Sequence, residues 1–154
     1  MNSYDAEMLL VEDNPNDVEL TLHAFEKNNL AHKWHVVRDG AEALEYLFGT
    51  GANEQHHPEV FPRLILLDLK LPKVDGLEVL RRVKGDPRTR TIPVITITTS
   101  REDRDIMETY NLGGNSYVVK PVDFEQFSEV IRQLGLYWLL LNHPSVLTRG
   151  GRGA

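Results

Sequence analysis

The chain has no cysteine among its 154 residues. That excludes disulfides, thiolate metal sites and cysteine nucleophiles, and it suits a reducing compartment such as the cytoplasm. No stretch approaches the ~18 consecutive apolar residues that span a bilayer. The opening Met1-Asn2-Ser3-Tyr4-Asp5 lacks the basic-then-apolar order of a secretory signal. Positive charge is in deficit too: 17 basic against 23 acidic residues leave a formal net charge of −6. A broad phosphate-binding surface for nucleic acid is therefore not expected. Internal repeats are absent, and low complexity is confined to Arg149-Gly150-Gly151-Arg152-Gly153-Ala154. The expectation is a cytoplasmic protein with neither a membrane nor a nucleic-acid partner.

What is present is periodic. Five short apolar runs have strand length and β-branched content: Met8–Val11, Trp34–Val37, Leu64–Leu67, Val94–Ile97 and Tyr117–Val119. Between them apolar residues recur at helical spacing, as in Val18, Leu22 and Phe25, or Val79, Leu80 and Val83. A last stripe runs Phe124, Phe127, Ile131, Leu134, Trp138, Leu141. Helix starts are marked by Asn14-Pro15 and by the pairs Asp39/Glu42, Asp75/Glu78, Ser100/Asp103 and Asp123/Gln126. Stops are expected at Gly49, Gly85 and Gly113. The pattern is (βα) repeated five times, an α/β fold with a doubly wound five-stranded parallel sheet. Residues 51–62 fall in a polar stretch that looks like an exposed loop insertion. His56-His57 within it read as exposed residues rather than metal ligands. One domain over 1–142 and a tail over 143–154 complete the organisation.

In an open parallel sheet, ligands bind beyond the carboxyl ends of the strands. The residues that follow the apolar runs are Glu12-Asp13, Asp68, Thr98-Thr99-Ser100 and Lys120-Pro121. A parallel sheet would bring three carboxylates, a hydroxyl and an ammonium to one rim. Gathered carboxylates repel and are costly to desolvate. A hard divalent cation such as Mg2+ relieves this, and it favours one or two protein carboxylates together with a phosphate. A lysine opposite completes a site for a phosphoryl group, and a carboxylate is a competent nucleophile toward phosphorus. Each group alone has a plainer explanation: Glu12-Asp13 as a solvated strand end, Asp68 as a turn cap, Thr98 as a strand threonine, Lys120 as a surface lysine. Their joint placement favours the site.

Glu12-Asp13, Leu66-Leu67-Asp68, Leu71-Pro72-Lys73-Val74-Asp75-Gly76, Thr98-Thr99 and Tyr117-Val118-Val119-Lys120-Pro121 together resemble the receiver domain of two-component response regulators. The spacings agree, with 30 positions from Asp68 to Thr98 and 22 from Thr98 to Lys120. The resemblance covers about residues 6–140. It implies the flavodoxin-like receiver fold with strand order 2-1-3-4-5. It implies that Asp68 is the phosphoacceptor for a histidine kinase. Asp13, Asp68 and the backbone carbonyl of Lys70 would hold Mg2+, with Glu12 acting through a metal-bound water. Lys120 would pair with carboxylate or phosphoryl oxygens, and Thr98 would hydrogen-bond the phosphoryl group. Tyr117 would be the switch aromatic that follows Thr98, although a strand tyrosine is more often packing. The Lys120-Pro121 bond would be cis.

Two positions depart from the common receiver pattern. Where an acid or amide often orients the water that hydrolyses the acyl phosphate, this chain has Lys70 and Ser100, so slow self-dephosphorylation is expected. A haloacid-dehalogenase-type phosphatase shares the nucleophilic aspartate and Mg2+, but it would need an acid where Lys70 stands. A receiver that never sees phosphate and acts as a constitutive dimer is disfavoured by its complete chemical set. The reading is therefore a stand-alone response regulator rather than an enzyme with separate turnover, although a phosphorelay intermediate or phosphate sink is an alternative. Asn142–Ala154 are too few for a helix-turn-helix module. Output would come from the receiver surface itself. Beyond that stripe the last helix also carries Val130, Leu136, Tyr137, Leu139 and Leu140, and this excess of apolar surface favours a homodimer through the last helix, with Val130, Tyr137, Trp138 and Leu140 at the interface, unless the tail folds back over it. The long loop, Lys84-Gly85-Asp86-Pro87, Thr91-Ile92-Pro93-Val94 and Tyr137-Trp138-Leu139 further resemble single-domain regulators served by phytochrome-type kinases.

Overall fold

The computed structural model describes residues 8–28, 33–49 and 61–142. Five strands alternate with five helices: β1 (Met8–Val11), α1 (Pro15–Lys27), β2 (Trp34–Val37), α2 (Gly40–Phe48), β3 (Leu64–Leu67), α3 (Gly76–Gly85), β4 (Val94–Thr98), α4 (Asp103–Asn111), β5 (Ser116–Val119) and α5 (Phe124–Gly135). All pairings are parallel, in the order β2-β1-β3-β4-β5. This is the doubly wound receiver-type topology that the sequence leads one to expect.

The strand alternation builds two cores. In β1, Leu9 and Val11 join Ile65 and Leu67 of β3 beneath α2 and α3. Met8 and Leu10 point the other way, with Leu64, Leu66, Ile95 and Ile97, onto α1 and α5. Successive strand side chains project to opposite faces, so a strand covered twice must be apolar throughout. The central strands β1, β3 and β4 are buried at every position, while the edge strands β2 and β5 are mostly half-buried.

The caps explain most helix starts. Asn14 accepts from the N–H groups of Asn16 and Asp17 (2.9 and 3.3 Å). Asp39 caps α2 through Glu42 N–H, Asp75 caps α3 through Leu77 N–H, and Asp123 caps α5 through Glu125 N–H. The Ser100/Asp103 start is not used. Helix α4 begins after Glu102 without a side-chain cap, and Ser100 Oγ accepts from Glu102 N–H (3.3 Å) just before the helix while donating to Asp105 Oδ2 (2.5 Å). Gly85 is the last residue of α3 rather than a stop, and Asp86 follows in extended conformation. Gly49 and Gly113, by contrast, take positive φ (69° and 103°), as chain reversal after a helix favours.

The last helix departs from one period. After Gly135 the chain continues as a π-helical segment, Leu136–Leu141, closed by Asn142 N–H donating to Tyr137 carbonyl. An i→i+5 turn is wider than 3.6 residues and shifts the buried phase. Leu139, outside the expected stripe, is buried, whereas Leu141, inside it, is 68% exposed. Two sequence-based assignments, the 51–62 insertion except for Phe61 and Pro62 and the 143–154 tail, lie outside the described residues, as do His56 and His57.

Candidate functional site

The site forms where β1, β3, β4 and β5 end together. Tight pairing fixes the rim: Glu12 N–H donates to Val37 carbonyl, Asp68 N–H to Val11 carbonyl, and Lys120 N–H to Thr98 carbonyl (2.8–3.0 Å). Glu12, Asp68 and Thr98 are buried there, and Asp13 is exposed. The carboxylates of Glu12, Asp13 and Asp68 each present an oxygen within 4.8 Å of the others. A cleft at the same rim is lined by Glu12, Thr21, Asp68, Ile97 and Lys120.

The ammonium of Lys120 crosses this cluster. It lies 2.7 Å from Glu12 Oε1, 2.8 Å from Asp17 Oδ2 and 3.0 Å from Asp68 Oδ2. Burial acts against its charge. Hydrogen bonds to Asp17 and Glu12 and the charges of Asp68 and Glu12 outweigh that and hold its pKa above the ordinary lysine range. Glu12 shows the converse. Burial raises its pKa from 4.5 to about 7, with the Asp68 charge adding to the rise, even though Lys120 opposes it.

The acid set fits a small divalent cation. It offers only hard oxygen donors, and one ammonium serves several carboxylates. Glu12, Asp13 and Asp68 are the residues that would hold such an ion.

Around the rim lies a second polar chain. Lys70 N–H donates to Asp68 Oδ1 (3.2 Å), while its ammonium reaches Asp105 Oδ2 at 3.5 Å. Asp105 is buried, and the Ser100 hydroxyl, with help from Lys70 and Arg104, keeps its carboxyl below the usual range despite that burial. Tyr117 is half-buried and donates its hydroxyl to the Ser100 carbonyl (3.1 Å). Thr98 accepts a long bond from Ser100 N–H (3.5 Å). Glu12, Asp13, Asp68, Thr98 and Lys120 are thus gathered at one rim, and Tyr117 is linked to it through Ser100.

The Lys120-Pro121 bond is not cis, since the described residues contain no cis peptide. Trans is the lower-energy form of an X-Pro bond, and the ammonium reaches its three acids without the isomer. Asp17 and Asp105 were not foreseen from sequence. An acid in the first turn of a helix reads as a companion of the helix dipole, and only the folded chain shows which one meets a lysine 103 positions away.

The response regulator receiver domain model matches residues 8–132. The chain belongs to the response regulator receiver domain family. Among relatives, it is 41% identical over 133 residues to the probable methanogenesis regulatory protein FilR2 of Methanothrix harundinacea, covering 86% of this chain and 83% of that protein. It is 36% identical over 132 residues to response regulator Rcp1 of Synechocystis, covering 86% and 88%. The Mn2+-bound structure of Rcp1 superposes with a TM-score of 0.82 at 33% identity, covering 90% and 98%. The bacteriophytochrome response regulator AtBRR is 56% identical with a TM-score of 0.67, covering 88% and 96%. This receiver is therefore related to phytochrome response regulators. No helix among its described residues is long and apolar enough to cross a membrane.

Proposed function

We propose that Asp68 accepts a phosphoryl group from a histidine kinase, and that the acyl phosphate controls protein–protein binding. The observation that carries this reading is the Lys120 ammonium at 3.0 Å from Asp68 Oδ2, beside the Glu12-Asp13-Asp68 cluster. A carboxylate oxygen of Asp68 attacks phosphorus, the bond from phosphorus to the kinase histidine nitrogen breaks, and the electron pair leaves with that nitrogen. Lys120 balances charge on the phosphoryl oxygens, and Thr98, at the end of β4, offers them its hydroxyl. Mg2+ held by Asp13, Asp68, the Lys70 carbonyl and, through water, Glu12 would neutralise the same oxygens. Tyr117, tied to the Ser100 carbonyl, is placed to report a movement of the segment after β4.

The kinase is proposed to be phytochrome-type, because AtBRR and Rcp1 align over most of their length. The chain acts as a phosphorylation-controlled binding module in the cytoplasm, without turnover of a separate substrate. A homodimer through the end of the last helix is part of the proposal. Tyr137 is 50% and Leu141 68% exposed there, Val130 is half-buried, and Trp138 packs partly on the core. The side chain of Leu140 lies outside the described part.

Incubation with a small phosphodonor and Mg2+ tests the chemistry. Wild type should gain one phosphoryl group by mass, and Asp68→Asn none. No gain in wild type, or an equal gain in both, would refute it. Sedimentation at tens of micromolar tests the dimer: a monomer in both phosphorylation states would exclude an affinity near 1 μM, about 8 kcal/mol.

A further inference from the structure

An ammonium has three N–H donors, and Lys120 commits all three to carboxylates: Glu12, Asp17 and Asp68. The remaining oxygens of the two cluster acids are engaged as well. Glu12 Oε2 accepts from Asn14 N–H and Asp68 Oδ1 from Lys70 N–H, each at 3.2 Å. A divalent cation entering between Glu12, Asp13 and Asp68 therefore competes with Lys120 for oxygens and repels its charge.

Asp17 stands apart from that competition. It is not one of the three acids whose oxygens converge. It sits in the first turn of α1, with its backbone fixed by the Asn14 cap at its N–H and by the Thr21 hydroxyl at its carbonyl (2.7 Å). Its side chain is 26% exposed, and that of Lys120 only 8%. A lysine this enclosed cannot withdraw its charge into water at low cost, so it needs an anion that the metal does not claim.

We propose that Asp17 is a positioning residue: it seats the Lys120 ammonium while a divalent cation takes Asp68 and, through water, Glu12, and keeps it within reach of the phosphoryl group. This rests on the phosphoacceptor reading above. Asp17 touches neither metal nor phosphorus and acts through Lys120. On neutralisation of Asp17, Lys120 stays on the metal's own ligands. The cation then binds less tightly, and the ammonium is misplaced for transfer.

The full-length chain tests this as wild type, Asp17→Asn and Asp17→Glu. Free Mn2+ counted by electron paramagnetic resonance gives metal affinity. Labelling by a small phosphodonor at saturating Mg2+ gives the limiting rate and the donor half-saturation constant. Asp17→Asn should bind Mn2+ about tenfold more weakly. Its limiting labelling rate should fall on the order of tenfold, without a rise in the half-saturation constant, because removing an anion does not hinder an anionic donor. Asp17→Glu should restore most of both. A wild-type limiting rate in Asp17→Asn, even with weakened Mn2+ binding, would reduce Asp17 to a distant charge and overturn the proposal. So would an Asp17→Glu variant no better than Asp17→Asn. If wild type takes no phosphoryl group, it is the phosphoacceptor reading that fails. The Mn2+ comparison then still decides whether Asp17 keeps Lys120 off the metal ligands.

Discussion

Glu12→Gln should change how stability depends on pH more than it changes stability at any one pH. Glu12 is 4% exposed, and burial carries its pKa from 4.5 to about 7. Between those values the folded chain holds a proton that the unfolded chain has released. The sign follows from linkage: stability is highest below 4.5 and declines as pH rises to about 7, since the native state binds more protons. At about 1.4 kcal/mol per unit, the full decline is roughly 3 kcal/mol. Glutamine is nearly isosteric, can still accept from Lys120, and does not titrate. Urea unfolding in chelator, at half-unit steps from pH 4.5 to 8, should therefore show the wild-type minus Glu12→Gln difference moving against wild type by that amount. Added Mg2+ should flatten the wild-type slope, because a cation at the cluster favours the carboxylate. A difference that stays level across the range would show that Glu12 titrates as an ordinary surface acid. The electrostatic account of the rim would then fail.

Other perturbations test other parts of the molecule. Lys84 donates to the carbonyls of Arg90 and Ile92 and to Asn115 Oδ1, and burial lowers its pKa to about 8. Wild-type stability should thus gain as pH rises from about 8 to 10.5, where only the unfolded lysine keeps its proton, and Lys84→Met should lose that gain in the same urea assay. Gly76→Ala should destabilise by about 1–3 kcal/mol, measured by urea midpoint, because a Cβ would strike the backbone of Asp68 and Leu69. Thr96 is fully buried on β4, and its hydroxyl has no partner among the described residues. Thr96→Val should raise stability by about 1 kcal/mol in the same measurement. Finally, the two positions where an acid or amide could aim a water at the acyl phosphate are Lys70 and Ser100, and both side chains contact Asp105. Radiolabel on Asp68 should be long-lived, and decay within seconds would contradict this.

The parts of the fold governed by local rules were legible in the sequence. β1, β2 and β3 end where their apolar runs end, and Asn14, Asp39, Asp75 and Asp123 cap the helices they precede. The rim was legible because parallel order alone puts Glu12, Asp68, Thr98 and Lys120 at one end of the sheet. What was hidden depends on tertiary choice. The Ser100 hydroxyl serves a buried acid on α4 as well as the Glu102 N–H, and α4 starts three residues after it rather than directly behind it. Asp17 and Asp105 read as surface acids on amphipathic helices until Lys120, just past β5, and Lys70, just past β3, are in place. β4 and β5 each run one residue past expectation, at Thr98 and Ser116, because pairing rather than apolarity sets their ends.

The wide turn at Leu136–Leu141 bears on engineering this terminus. Each residue of an ordinary helix advances the facing direction by about 100°, so trimming one residue to regularise the coil would swing everything downstream by more than a quarter revolution. Leu139 would leave its socket, and Tyr137 and Leu141 would no longer share an outward bearing. Chimeras that graft a foreign effector onto this end should therefore be joined beyond Asn142, with the irregular coil carried over intact as the indexing element.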